Sequence, residues 1–255
     1  MPSSKLSQAD SKVLSQVFDP GSGPARAEVL VDPTLPSDRQ ISDSALLLEL
    51  KSREKDAVRL IEQYENSSIK TSQAKETAYR SALEILDRII DDQPSYASAR
   101  NNRAQLRRWR YGDRNMLCRQ ITVGKGQSEA GSAALRDLEK AISLASPGRP
   151  QDPVSPSQGK LLAQAYTQLG ALYLGTAKDL EVVEVESAKL EIDVGLADWT
   201  KDRFEEEASR AFYLGGLYGN EVAKALAVHT NPHAKLCGNI VKEAMRKEFA
   251  AVGAL

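Results

Sequence analysis

Tyr166-Thr167-Gln168-Leu169-Gly170-Ala171-Leu172-Tyr173 is the stretch on which the fold turns. Tyr166, Leu169 and Tyr173 stand at i, i+3 and i+7, the spacing of one face of an α-helix. Gly170 sits in the middle of that pattern, where glycine costs about 1 kcal/mol against alanine. Its use there implies a close approach: a neighbouring helix comes near enough that a side chain would be in the way, and the aromatics fill the space around the contact. The stretch therefore reads as one partner of a tightly packed helical pair.

Working outward, the same period recurs along most of the chain. Leu46, Leu50, Ala57, Leu60, Ile61 and Tyr64 mark one helix. Ala78, Ala82, Leu83, Leu86, Ile89 and Ile90 mark a second, closed by Pro94. Ala97 to Tyr111 is a third, stopped by Gly112-Asp113, and Ala134 to Leu144 a fourth, stopped by Pro147-Gly148. Leu161 to Leu174 is a fifth and Phe204 to Leu214 a sixth, stopped by Gly215-Gly216. Val222–Val228 and Leu236–Phe249 close the chain. Short helices in succession with glycine or proline stops predict an all-α protein of stacked hairpins. Val182 to Ile192 partly alternates and reads as a loop or irregular helix.

The hairpins carry a repeat. Tyr166-x-x-Leu169-Gly170-x-x-Tyr173 matches the first-helix signature of a tetratricopeptide repeat. Ala134, Leu138, Ala141 and Pro147 fit the second-helix pattern, as do Ala82, Leu86, Ile89 and Pro94, with Phe204, Ala208 and Ala211 as a degenerate copy. The copies lie further apart than the ideal ~34 residues. The excess falls at about 114–132 and 175–201, which read as insertions at hairpin turns, where added length costs little free energy. The organisation expected is a flexible N-terminal tail over 1–44 followed by a tetratricopeptide-repeat α-solenoid over 45–255, three hairpins and an atypical C-terminal cap. The tail holds Val13, Leu14, Val17 and Phe18 as a short apolar helix ended by Asp19-Pro20, which reads either as a peg packed on the protein's own core or as a partner-binding or self-inhibiting segment.

Four segments resemble the tetratricopeptide repeat protein 36 family. They are Val13-Leu14-Ser15-Gln16-Val17-Phe18-Asp19-Pro20, Asn101-Asn102-Arg103-Ala104-Gln105, Leu135-Arg136-Asp137-Leu138-Glu139-Lys140-Ala141 and Asn231-Pro232-His233-Ala234-Lys235-Leu236-Cys237. The resemblance implies a non-enzymatic adaptor associated with Hsp70-type chaperone binding and with tyrosine catabolism. The long insertions and the divergent first repeat depart from the compact family pattern.

Composition narrows the chemistry. The 255 residues include 41% hydrophobic and 27% charged residues, an ordinary globular balance, with aromatics at only 5%, which favours helix over a large sandwich. The formal net charge of −1 leaves no whole-chain basic field for nucleic acid. Two histidines and two cysteines argue against a disulfide scaffold, a zinc module or a histidine-rich catalytic centre. The first ten residues hold no apolar core of a secretory signal, and no apolar run approaches a membrane span. A cytoplasmic or nuclear protein with no cofactor, no metal, no membrane and no nucleic acid partner is expected.

In a tetratricopeptide stack the first helices line a concave groove. The inward positions of the second repeat include Ser98, Asn101, Asn102, Gln105, Arg108 and Trp109, and those of the third include Gln164, Thr167 and Gln168. Amides both donate and accept, which suits the backbone of an extended peptide. Asn102 also matches the second-helix asparagine of a carboxylate clamp. Gln164 and Gln168 stand where that clamp needs cations, and the first helix offers no Lys/Asn pair, so a chaperone would have to bind in another mode.

Seven arginines lie between 100 and 119 against one acid, Asp113. They read as an acidic-peptide or phosphate site, or as a solvated face paired with acids of neighbouring helices, which is the commoner outcome. His229, His233 and Cys237 have metal-like spacing, but Asn231-Pro232 starts a new helix and leaves His229 outside it. Gly124-Lys125-Gly126 lacks the frame of a phosphate loop. The leading expectation is a protein-binding adaptor resembling a chaperone cofactor. The second is a regulator that binds and protects or masks a metabolic enzyme, with the N-terminal stripe occupying the groove until displaced.

Overall fold

The fold was taken from a computed structural model, which describes residues 29–120, 125–186, 190–192 and 194–231. Among the described residues the architecture is all-α with one two-stranded ribbon: helices α1 (Ser44–Asn66), α2 (Ser72–Asp92), α3 (Ala97–Tyr111), α4 (Lys125–Ala145), α5 (Pro156–Glu186), α6 (Lys201–Leu217) and α7 (Glu221–Thr230), and strands β1 (Cys118–Gln120) and β2 (Leu190–Ile192). Each helix packs on its successor, and α3 also touches α5.

Local chemistry sets the boundaries. Asp43 caps α1 by accepting from the Ala45 and Leu46 amides, and Thr71, Thr200 and Asn220 cap α2, α6 and α7 in the same way. At α5 the Ser155 hydroxyl accepts from the Gln158 amide while the Gln158 side chain accepts from the Ser155 amide, a capping box with Pro156 at the first helical position. Gly112, at φ 79°, stops α3 in a backbone conformation that glycine adopts without cost.

One core cluster joins α1, α2 and α3 through Leu50, Ala57, Ala82, Leu86, Ile89 and Leu106. A second joins α3 to α7 through Ala104, Leu138, Leu172, Tyr173, Phe204 and Phe212. Gly170 lies where the sequence places the close approach: a Cβ there would stand 2.8 Å from ring carbons of Phe212 on α6.

Three segments differ from the sequence reading. First, the tail expected over 1–44 is docked over 29–43. Val31 forms a parallel bridge with Val154, with the Asp32 amide donating to the Val154 carbonyl and the Val154 amide to Leu30. Arg39 and Gln40 donate to the carbonyls of Ser146 and Leu144 at the end of α4, and Ile41 is buried. These bonds join the segment's backbone and side chains to carbonyls and an amide far along the chain and leave no periodic trace. The apolar stripe Val13–Phe18 lies outside the described residues, as does the expected helix Leu236–Phe249.

Second, α4 begins at Lys125, well before Ala134, and α5 runs on through Gly175 to Glu186, across much of what reads as a loop at Val182–Ile192. No proline interrupts either extension. Third, the two stretches read as insertions meet. β1 and β2 pair antiparallel, Cys118 opposite Ile192 and Gln120 opposite Leu190. The loop before β1 lies against both α4 and α5, since a Cβ at Gly131 would overlap the Met116 carbonyl and one at Gly175 the Asp113 carbonyl. Asp179 of α5, buried, fastens that loop by accepting from the Asn115 amide at 2.6 Å and from Arg114.

Candidate functional site

Alternate helices α1, α3 and α5 line one side of the molecule and enclose a groove of about 960 Å³. Its walls carry Leu48, Lys51, Lys55 and Val58 from α1, Ser98 and Asn102 from α3, and Lys160, Leu161 and Gln164 from α5. The docked segment 37–39 closes one end.

The floor is built on Glu54. The buried stripe of α1 runs Leu47, Leu50, Glu54, Ala57, so a carboxyl occupies a core position. Glu54 accepts from the Tyr96 hydroxyl at 2.6 Å through one oxygen and from the Asn102 amide at 2.9 Å through the other. Burial raises its pKa above the ordinary carboxyl value, against the lowering effect of those bonds. Tyr96 is pushed up as well, by burial and by the carboxyl beside it. With both oxygens engaged, this group ties α1 to α3 and is not aimed at a substrate.

A smaller cavity of about 130 Å³ continues from the groove, which it meets at Val58 and Asn102. Its lining is apolar, with Ile61, Leu86, Leu106 and Trp109. Trp109 is held rigidly: its indole N–H donates to Glu65 at 2.8 Å, Tyr64 meets it edge-on at 5.6 Å, and the Lys75 ammonium lies 4.8 Å from a ring centroid.

The residues expected to line the groove divide. Asn102 and Gln164 line it, and Asn102, Gln105 and Trp109 line the smaller cavity. Asn101 and Gln168 turn away: the Gln168 amide donates to the Asn101 side chain at 2.8 Å in the interior, where α3 and α5 touch. Thr167 donates to the Ala163 carbonyl at 2.6 Å, beside Gly215 of α6. Arg108 makes a two-pronged pair with Asp113 beyond the end of α3, at 2.6 and 3.0 Å. Glu54, Lys51, Lys55 and Lys160 were missed. A carboxylate at i+4 from Leu50 and three before Ala57 is the one signal that could have singled out Glu54.

Six of the seven arginines of the cluster lie against acids. Arg103 bridges Asp137 of α4 and Asp87 of α2, Arg107 pairs with Asp137, and Arg100 lies 3.6 Å from the same carboxylate. Arg110 pairs with Glu76 and Arg114 with Asp179. Among the described residues no group of His, Cys, Asp and Glu has the makings of a metal site, and no helix is long and apolar enough to cross a membrane. His233 and Cys237 lie outside the described residues.

Against known proteins, the chain is 38% identical over 255 residues to the L-tyrosine degradation gene cluster protein hmgX of Aspergillus fumigatus, covering 97% of this chain and 94% of the relative. The chain belongs to the hmgX family. No protein-family profile matches it, so the resemblance to the tetratricopeptide repeat protein 36 family has no support there, and no solved structure matches either. The hmgX relationship spans nearly the whole chain, docked segment and ribbon included, and the relative's name places that protein in tyrosine degradation.

Proposed function

We propose that the protein is a non-enzymatic accessory of tyrosine breakdown that binds a metabolic enzyme of that route through the α1–α3–α5 groove and protects or masks it. The relative's name supports the metabolic half of this reading. The groove supports the binding half: it is large, open, formed by three helices and rich in amides and hydroxyls. The titratable group on its floor is already bonded on both oxygens, which disfavours acid–base work. Part of the same proposal is that α1/α2, α3/α4 and α5/α6 are three tetratricopeptide-like hairpins with α7 as a cap; the α3–α5 contact and the Gly170–Phe212 approach favour it. A cytoplasmic location goes with this reading. The Hsp70-type adaptor reading has no comparable observation behind it.

The test is reconstitution. The purified chain, mixed with each purified tyrosine-degrading enzyme of the same organism, is expected to co-elute with one of them and to lengthen the half-life of its activity or suppress it. Turnover of a pathway intermediate by the chain alone, or no complex with any of the enzymes, would contradict the proposal.

A further inference from the structure

We infer that the groove and its side cavity together take an extended acidic segment of the partner that carries one large apolar anchor. The inference rests on the groove being the partner-binding site and adds the chemistry of what enters it.

Charge is the first argument. Lys51 and Lys55 stand one helical turn apart on α1, and Lys160 lines the groove from α5. All three are exposed, and none makes an ion pair among the described residues. Exposed cations elsewhere divide: Arg80, Arg88 and Arg203 pair with acids on their own helices, whereas Arg136, Lys140 and Arg210 make no ion pair among the described residues either. The acid deepest in the groove, Glu54, is bonded by Tyr96 and Asn102 and is held toward its neutral form by burial. Asp38 and Glu62 also line the groove, but the five cations there, Arg39, Lys51, Lys55, Arg59 and Lys160, outnumber the three acids, so a net positive charge remains. An acidic chain is what such a surface attracts.

Shape is the second argument, independent of the first. The side cavity, at about 130 Å³, is close to the ~150 Å³ of apolar space that holds a benzene ring. It is walled by Ile61, Leu86, Leu106 and the fixed Trp109. Val58, 46% exposed on α1, lines both the groove and the socket and joins them, while Leu48, 73% exposed, adds apolar surface on the other side of the lysine pair. A phenylalanine, leucine or tyrosine side chain fills such a socket, and a wall residue already fastened, as Trp109 is, lowers the ordering cost. The chain's own residues 1–28 are a poorer occupant by charge: Lys5, Lys12 and Arg26 balance Asp10, Asp19 and Glu28.

A random dodecapeptide library displayed on phage, selected on the full chain, tests this without presuming a sequence. The selected peptides are expected to be net acidic with one aromatic or large aliphatic residue. Made synthetically and followed by fluorescence anisotropy, they are expected to bind the charge-reversed variant K51E/K55E/K160E about tenfold more weakly or worse, a change of about 1.4 kcal/mol or more. Replacing the anchor by alanine in the peptide weakens binding likewise and leaves the protein untouched. The three lysines are exposed, so the variant keeps its fold, which circular dichroism verifies. Basic or uncharged winners, winners resembling Val13–Phe18, no enrichment, or equal binding to the variant would each overturn the inference. The two readings fail separately. An enzyme bound equally by the wild type and K51E/K55E/K160E leaves the accessory role standing and removes this inference. Acidic ligands with no bound enzyme do the reverse.

Discussion

Glu54 shows what one residue decides in this molecule. A carboxyl on the buried stripe of α1 links two helices, and because burial raises its pKa, the folded state binds a proton more readily than the unfolded chain does. The sign follows: the stability contributed by Glu54 is fully present below the unfolded pKa of about 4.3 and is lost as pH rises from there through the folded value. Glu54→Gln keeps the hydrogen-bonding shape and removes the titration, so the melting temperature of the variant is expected to lose that falling limb, as thermal scans across pH 4 to 8 would show. Asp137 is a buried carboxylate facing Arg100, Arg103 and Arg107. Asp137→Ala strands those guanidinium groups and is expected to cost about 3–5 kcal/mol by urea denaturation, with Asp137→Asn intermediate. Gly170→Ala sets a helix-propensity gain of about 1 kcal/mol against overpacking of about 1–3 kcal/mol on the buried Phe212 ring. The ring has nowhere to go, so a net loss of melting temperature is expected. Gly170 was legible in the sequence because its cost in a helix demanded a reason. Asn101 and Gln168 were not, since two amides bonded to each other in the interior look, one at a time, like groove positions.

At the level of elements, glycine and proline stops located the ends of α2 and α3 well, because a missing amide or a positive φ is a local fact, whereas α6 runs through the expected stop Gly215-Gly216 to Leu217 and the positive φ falls at Gly219. The start of α4 was not readable. Its first turns hold small residues such as Gly131 so that the Met116 backbone can pass, and small residues carry no hydrophobic period. The ribbon was equally hidden, because each strand is three residues long and finds its partner far along the chain. The docked segment before α1 carries a prediction that separates it from a loose tail. Ile41, buried against the α1–α3 cluster, is expected to cost about 2 kcal/mol when replaced by alanine. An unchanged denaturation midpoint for Ile41→Ala would mean that this segment contributes nothing to the fold.

For the whole molecule, the near-neutral charge hides an uneven distribution. The strongly basic run of α3 is spent on internal pairs with Asp87, Asp137, Asp113 and Glu76. The groove lysines Lys51, Lys55 and Lys160 stand on α1 and α5, far apart in sequence and joined only when α3 brings those helices together. The all-α class was therefore legible from periodicity, while the character of the groove was not, since it depends on which charges the fold leaves unpaired. The account's central claim is that this groove holds the partner. Isothermal titration of the co-eluting tyrosine-degrading enzyme into the wild type, K51E/K55E/K160E and a control, R80E/R88E, on the exposed face of α2 tests it most directly. The account predicts a complex for the wild type and the control and binding weakened about tenfold or more for the lysine variant; equal affinity for all three would contradict it.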